Sequence, residues 1–232
     1  MKEIERLFKN NRDWSEAMRE TDPEYFARRA QGQSPMFFFI GCCDSRVPTE
    51  VMTGAHPGEI FTLRNIANQA ALTDLSFLTA LEYAIEFLDV KHVVVCGHYK
   101  CGGVLASLAG LDHGIVDHWL SGVRDVIRIH RDELDALPEE ERGRRLVQLN
   151  VLEQVYNVSR TPVVQRAWAR GRRPILTGLV YDLENGLIDP LVTDVGSLVD
   201  ANTMLPHAID DSGGAPQRAR ATQGVLAAAG RT

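Results

Sequence analysis

Five apolar segments of strand length run along the chain, and the stretches between them change to a helical period. Met36-Phe-Phe-Phe-Ile is apolar without interruption and stops at Gly41. Glu59 to Asn65 alternates apolar and polar positions. Val90 to Cys96 is apolar throughout, as a strand covered on both faces requires. Pro174 to Asp182 makes a fourth strand, and Asn185-Gly186 is a hairpin turn from which Leu187 to Val192 runs back antiparallel. Pro48 to Met52 reads as a short helix. Thr73 and Asp74 start a longer one, with Leu78, Leu81, Ile85 and Leu88 as its stripe. Val104 to Ala109 is a third. Residues 113–136 and 138–157 read as two helices split by Pro138, and Thr161-Pro162 starts another that Gly171 ends. Strands alternating with helices predict an α/β fold: a central, mostly parallel sheet flanked by helices, with right-handed crossovers and an antiparallel C-terminal edge strand.

Both ends depart from this alternation. Residues 2–31 read as a helical arm with two short apolar stripes, Ile4, Leu7, Phe8 and then Trp14, Ala17, Met18. Asp22-Pro23-Glu24 looks like a helix start inside it, with Asp as cap and Pro at the first helical position. Such an arm has little to bury against itself. From about His207 the composition turns to Gly, Ala, Arg and Ser without periodicity, and reads as a mobile tail. The expected organisation is one domain over residues 1–206, with 1–34 as the arm, and a tail over 207–232.

Composition narrows the partners. With 25 Lys and Arg against 31 Asp and Glu, the net charge of -6 argues against a nucleic-acid surface. The one dense charge run, Glu139 to Arg145, mixes signs and reads as a solvated face. No apolar run approaches a membrane span. Met1-Lys-Glu-Ile-Glu-Arg has no apolar core of a signal peptide, so the four cysteines are expected to stay reduced in a cytoplasmic protein.

Two strand ends carry the candidate chemistry. The first strand runs into Gly41-Cys42-Cys43-Asp44-Ser45-Arg46, and the third into Cys96-Gly97-His98-Tyr99-Lys100-Cys101-Gly102-Gly103. Carboxyl ends of strands are where open parallel sheets place their sites. Cys42, His98 and Cys101 offer two thiolates and an imidazole, a soft set that suits zinc. Asp44 can be a fourth ligand or leave that position to water. Cys43 and Cys96 are rival ligands by proximity. An extended chain puts Cys42 and Asp44 on one face and Cys43 on the other, so Cys43 and Cys96 read as packing residues. Asp44 and Arg46 read as a unit, because a guanidinium can clamp a carboxylate through two parallel hydrogen bonds. Two other classes fit less well. A structural zinc module has four fixed ligands and no task for Arg46. A thiol redox protein is expected to carry Cys-x-x-Cys, which is absent here.

On Cys42-x-Asp44-Ser45-Arg46 and Gly97-His98-x-x-Cys101-Gly102-Gly103, with Arg64-Asn65-x-Ala67-Asn68 between them, the sequence resembles the beta-class carbonic anhydrases from about Ile4 to Val195. The resemblance implies one zinc per chain on Cys42, Asp44, His98 and Cys101, and reversible hydration of carbon dioxide to bicarbonate with Asp44 and Arg46 as the catalytic pair. It places Gln33, Phe61, Ile66 and Tyr83 along a narrow substrate slot, with the Gly102 and Gly103 peptides beside it. It also implies that the arm lies across a partner subunit, in a homodimer or a tetramer built as a dimer of dimers. Some relatives act instead on carbonyl sulfide or carbon disulfide. In a bicarbonate-regulated bacterial branch a second site is built from Trp, Arg and Tyr. Arg64 and Tyr181 match two of its positions, and Phe39 stands at the third.

Overall fold

The apolar runs are strands. β1 (Phe37–Cys42), β2 (Ile60–Asn65), β3 (His92–His98) and β4 (Ile175–Tyr181) are parallel, and β5 (Ile188–Val195) is antiparallel to β4. The spatial order is β2-β1-β3-β4-β5. The structure, a computed structural model, describes residues 2–110 and 114–205; the expected tail over 207–232 lies outside the described residues. The chain leaves β1 toward β2 on one side and resumes with β3 on the other. The crevice between the ends of β1 and β3 is thus a topological switch point, where open α/β sheets bind ligands.

Residue type explains which strands are inner. Phe38, Ile40, Val93 and Val95 are almost wholly buried, as strands covered on both faces require. The edge strand β2 is half-buried, which matches its alternating sequence. Around the sheet, α3 (Thr49–Thr53) follows β1, and α4 (Leu75–Glu82) follows β2. Asp74 caps α4, its carboxylate accepting from the Ser76 amide at 2.9 Å. The helix continues through a π-helical turn, Tyr83–Phe87, closed by the Leu88 amide donating to Tyr83 O. After β3 come α5 (Gly102–Ala109), α6 (Ile115–Trp119), α7 (Ser121–Ile129), α8 (Arg131–Asp135), α9 (Glu139–Ser159) and α10 (Pro162–Ala169), and α11 (Leu198–Thr203) follows β5.

α9 is the helix that the sheet is shaped to receive. It crosses β3 and β4 at Gly97 and Gly178, where a Cβ would stand 2.6 Å from Val151 Cγ2 and 3.0 Å from Val151 Cγ1 respectively. The two glycines let the helix backbone approach, and Val147, Val151 and Val155 fill the gap.

Four expectations need correction. The helix expected over 113–136 is three short ones. Leu120 and His130 interrupt it, and His130 bends in so that its buried ring reaches Glu153 of α9 at 2.7 Å. Asp22 does not cap a helix starting at Pro23. It ends α1 (Glu3–Thr21), and its carboxylate takes the Glu24 amide and the Arg28 guanidinium, so α2 begins only at Tyr25 (Tyr25–Ala30). Cys43 is exposed and does not pack, while Cys96 is buried as expected. β5 runs on to Val195, past a register shift against β4. The arm itself is helical as read, and no residue of α1 is buried. Trp14 meets Tyr25 and Phe26 edge-on, while Ile4, Leu7 and Phe8 remain exposed.

Candidate metal centre

β1 delivers Cys42 at its last position, and β3 delivers His98 at its last. The turn after His98 brings Cys101 round to them through Lys100, whose φ of 59° is left-handed. Cys101 then precedes the first turn of α5. Cys42 Sγ and Cys101 Sγ are 3.9 Å apart. The donor atoms of Cys42, His98 and Cys101 lie within 4.8 Å of one another, and all three residues are buried.

The donor set fits zinc. Two sulfurs each about 2.3 Å from one tetrahedral ion stand about 3.8 Å apart. His98 Nδ1 lies 3.1 Å from Tyr99 O, so that nitrogen carries the proton and Nε2 the lone pair. Nε2 is buried with no hydrogen-bond partner, an arrangement that costs free energy unless the lone pair binds an ion. The Cys42 thiol is pulled far below the usual cysteine range, to about 4. The hydrogen bond with Cys101 does most of this, and the Asp44 and Ala67 amides add to it. Cys101 is pushed up by the same bond and by burial, while the Gly103 and Val104 amides pull it the other way.

Asp44 stands beside this set, outside the three-donor group. Arg46 clamps it: Nε donates to Oδ1 at 2.9 Å, Nη2 to Oδ2 at 2.7 Å, and the Arg46 amide to Oδ1 at 2.9 Å. The Arg46 guanidinium holds the Asp44 carboxyl well below the usual carboxylate range. Asp44 Oδ2 is 3.8 Å from His98 Nε2. Arg46 Nη2 also reaches Lys100 O at 3.5 Å, which ties the clamp to the turn that carries Cys101.

The expected slot residues are only partly gathered. Ile66 lies over Gly103, where a Cβ would come 2.8 Å from its Cγ2; above Gly102 the space is open. Phe61 and Tyr83 stack in a row of rings from Phe38 to Phe87, at centroid spacings of 5.7, 5.9 and 5.4 Å. Tyr83 is 44% and Ile66 40% exposed, and Gln33 is exposed on the loop before β1. Within one chain Phe61 and Tyr83 line an open, mostly apolar face with Leu75 and Ala80. Phe39 and Tyr181 pack together with Cys96 on one face of the sheet. Arg64 pairs with Gly41 in register and spends Nε on Cys42 O and Nη2 on Asp44 O, both at 2.9 Å.

One contributor stands in the sequence reading only as part of the Arg64-Asn65-x-Ala67-Asn68 motif, with no role given to it. Ala67 and Asn68 adopt left-handed φ values of 63° and 46° in the turn after β2, and that turn lies against Gly97 and Gly103, where an added Cβ would stand 3.6 Å from Asn68 Oδ1 and 3.5 Å from Ala67 Cβ. Residues held in such sparsely populated regions cluster at functional sites. Beyond that motif the local signal was Asn68, since Asn tolerates this region and Ala does not.

A buried Cys-His-Cys set at the switch point of an open parallel sheet, with an arginine-locked carboxylate beside it, is a donor group that could hold a metal ion in an enzyme of the α/β class. The pattern of the carbonic anhydrase family matches residues 37–188. A carbonic anhydrase of Emericella nidulans is 46% identical over 198 residues, 84% of this chain and 87% of the relative. The Coccomyxa beta-carbonic anhydrase, solved in complex with acetazolamide, superposes with a TM-score of 0.84 at 35% identity, over 90% of this chain and 95% of that one. One of two tetrameric beta-carbonic anhydrases from Sordaria macrospora superposes at 0.77 with 37% identity, over 81% and 96%. The chain belongs to the beta class of the carbonic anhydrase family and is an enzyme of it. The bacterial branch is not singled out: a Pseudomonas aeruginosa carbonic anhydrase is 38% identical over 174 residues, below the fungal relative. Among the described residues no helix is long and apolar enough to cross a membrane.

Proposed function

We propose that the chain catalyses the reversible hydration of carbon dioxide to bicarbonate and a proton, with one zinc ion held by Cys42, His98 and Cys101. The observation that carries this reading is the buried donor set with its unpaired His98 Nε2. Zinc, when bound, supplies a Lewis acid that lowers the pKa of water toward ~7 and so provides a nucleophile at neutral pH.

Arg46 fixes the plane of the Asp44 carboxylate by two side-chain bonds. Asp44 Oδ2, on the His98 side, accepts the O–H of the attacking water and turns its oxygen toward the carbon of the substrate. The clamp also keeps Asp44 off the donor set. Released from Arg46, its carboxylate can reach the fourth position, which gives a closed, inactive arrangement. Ile66, Phe61 and Tyr83 supply an apolar wall for a molecule with no charge, and Gln33 and the Gly102 and Gly103 peptides supply its few polar contacts. The exposure of Tyr83, Leu75 and Phe87 supports closure of this wall by a second copy of the chain, with α1 lying across it. The tetrameric relative from Sordaria macrospora supports a homodimer that can pair again. The four free cysteines suit a reducing cytoplasm.

Phe39, Arg64 and Tyr181 form a proposed second bicarbonate site. Arg64 links it to the centre through the carbonyls of Cys42 and Asp44. Phe39 lacks the N–H of a Trp, so binding there is weak.

Stopped-flow carbon dioxide hydration, with and without a zinc chelator, tests the activity, and metal analysis of Cys42→Ala and Cys101→Ala tests the ligands. The expected result is chelator-sensitive hydration and loss of zinc in both variants. Full zinc in either variant overturns the ligand set, and turnover of carbonyl sulfide in place of carbon dioxide replaces the substrate.

A further inference from the structure

α9 carries two amides where a core helix should be apolar. Asn150 and Gln154 are 1% and 3% exposed, four residues apart on one face. Buried polar groups of this kind persist when they are hydrogen-bonded, and both are. Asn150 Nδ2 donates to Ala67 O at 3.0 Å. Gln154 Oε1 accepts from the Ala70 amide at 2.8 Å, and its Nε2 donates back to Asn150 Oδ1 at 3.1 Å. One ladder on α9 therefore grips residues 67 and 70. The turn is pinned from its other side by Asn65, whose side chain exchanges two bonds of 2.7 Å with the backbone of Gln69.

The gripped turn is the one that holds Ala67 left-handed; it follows Asn65, which pairs in register with Cys42 and whose carbonyl accepts the Cys43 amide at 3.0 Å, and it lies against Gly97 and Gly103, where an added Cβ would stand 3.6 Å from Asn68 Oδ1 and 3.5 Å from Ala67 Cβ. Left to itself, an alanine leaves that region. The Ala67 carbonyl is fixed by Asn150, and that bond holds the strained peptide in place. The same helix presses Val147 and Val151 onto Gly97, the residue before His98. Two of the three donor segments are thus registered to one helix.

We propose that Asn150 is a positioning residue for the metal centre: through the Ala67 carbonyl it holds the turn that anchors the end of β1 at Cys42 and packs on the glycines beside His98 and Cys101. The proposal rests on the zinc reading above.

The test compares Asn150→Leu, which keeps the bulk and removes the donor, with the milder Asn150→Ser, whose hydroxyl is too short to reach Ala67. Val155→Ala is the control, since Val155 sits on the same helix but packs on Gly178, away from the turn. Zinc affinity is measured by competition with a chromophoric chelator. The sulfur-to-cobalt charge-transfer band is recorded after cobalt replaces zinc. Partners that orient metal ligands are worth ~10–100-fold in affinity. Both Asn150 variants are expected to bind zinc at least ~10-fold more weakly and to show a shifted band, with Val155→Ala unchanged in both. Zinc affinity of either Asn150 variant within twofold of the control, with an unmoved band, overturns the proposal. If Asn150→Leu does not fold, Asn150→Ser decides alone. A wild-type chain that binds no zinc, or whose zinc does not depend on Cys42, fails the underlying reading instead.

Discussion

Gly97→Ala tests whether the seat of α9 on the sheet sets the stability of the site. The added Cβ would stand 2.6 Å from Val151 Cγ2 and 3.4 Å from Val147 Cγ1. Carbon atoms in good contact are about 3.5–4.0 Å apart, so the helix and β3 must separate by ~1 Å at the first contact. Valine has little rotamer freedom with which to yield. Overpacking of this kind costs about 1–3 kcal/mol. Val151→Ala removes the offending methyl and on its own loses ~1.6 kcal/mol of transfer free energy for two carbons, plus a cavity term. In the double variant the new Cβ of residue 97 occupies part of that cavity. The cycle should therefore show a favourable coupling of ~1–2 kcal/mol. The assay is urea unfolding at fixed zinc and protein concentration, read as a shift in midpoint at constant slope. Additive losses in the double variant, within ~0.5 kcal/mol, would refute the claim that this contact sets the approach of the helix.

Three further outcomes follow from the geometry. Arg46→Ala removes two of the three bonds to Asp44 and leaves the backbone one; zinc content should hold while carbon dioxide hydration falls ~10–100-fold, and turnover within twofold of wild type at equal zinc removes the clamp from catalysis. Burial holds the Cys96 thiol up to about 12 from its ordinary 9.0. Its contribution to stability is therefore complete below pH 9 and is lost as pH rises toward 12; unfolding curves of wild type and Cys96→Ala that stay parallel from pH 8 to 11 would contradict this. Phe39→Trp should lower the bicarbonate concentration that inhibits hydration by roughly ten-fold, the worth of one hydrogen bond to a charged group. Inhibition that is competitive and identical in wild type, Phe39→Trp and Arg64→Ala would dismiss the second site.

The strands and the donor set were legible because both are local signals. Phe37 to Cys42 and His92 to His98 declare themselves by composition, and Cys42, His98 and Cys101 follow them within a few residues. What stayed hidden depends on contacts between distant residues. Asn150 and Ala67 are 83 positions apart, and nothing in a buried helix pattern says which backbone an amide will hold. The left-handed Ala67 and Lys100 are imposed by that packing against their own preference. The breaks at Leu120 and His130 carry no proline or glycine to announce them, and the second brings the His130 ring to Glu153 at 2.7 Å. Cys43 read as packing because an extended chain turns it away from Cys42 and Asp44, yet β1 ends one residue earlier and leaves it outside.

The bare arm has a consequence in time. α1 lies within the first 21 residues, whereas the strands that complete the parallel sheet extend to Tyr181. At roughly 5–20 residues per second of synthesis, the arm leaves the ribosome some ~8–32 s before β4 does. Through that interval Ile4, Leu7, Phe8 and Trp14 have no sheet beside them, and even afterwards the finished chain leaves them uncovered. On the two-copy reading they are covered only on meeting a second finished copy, a step whose rate falls with dilution. A segment made well before the sheet is then satisfied only after it, and slow or sparse expression lengthens its exposure to chaperones and proteases.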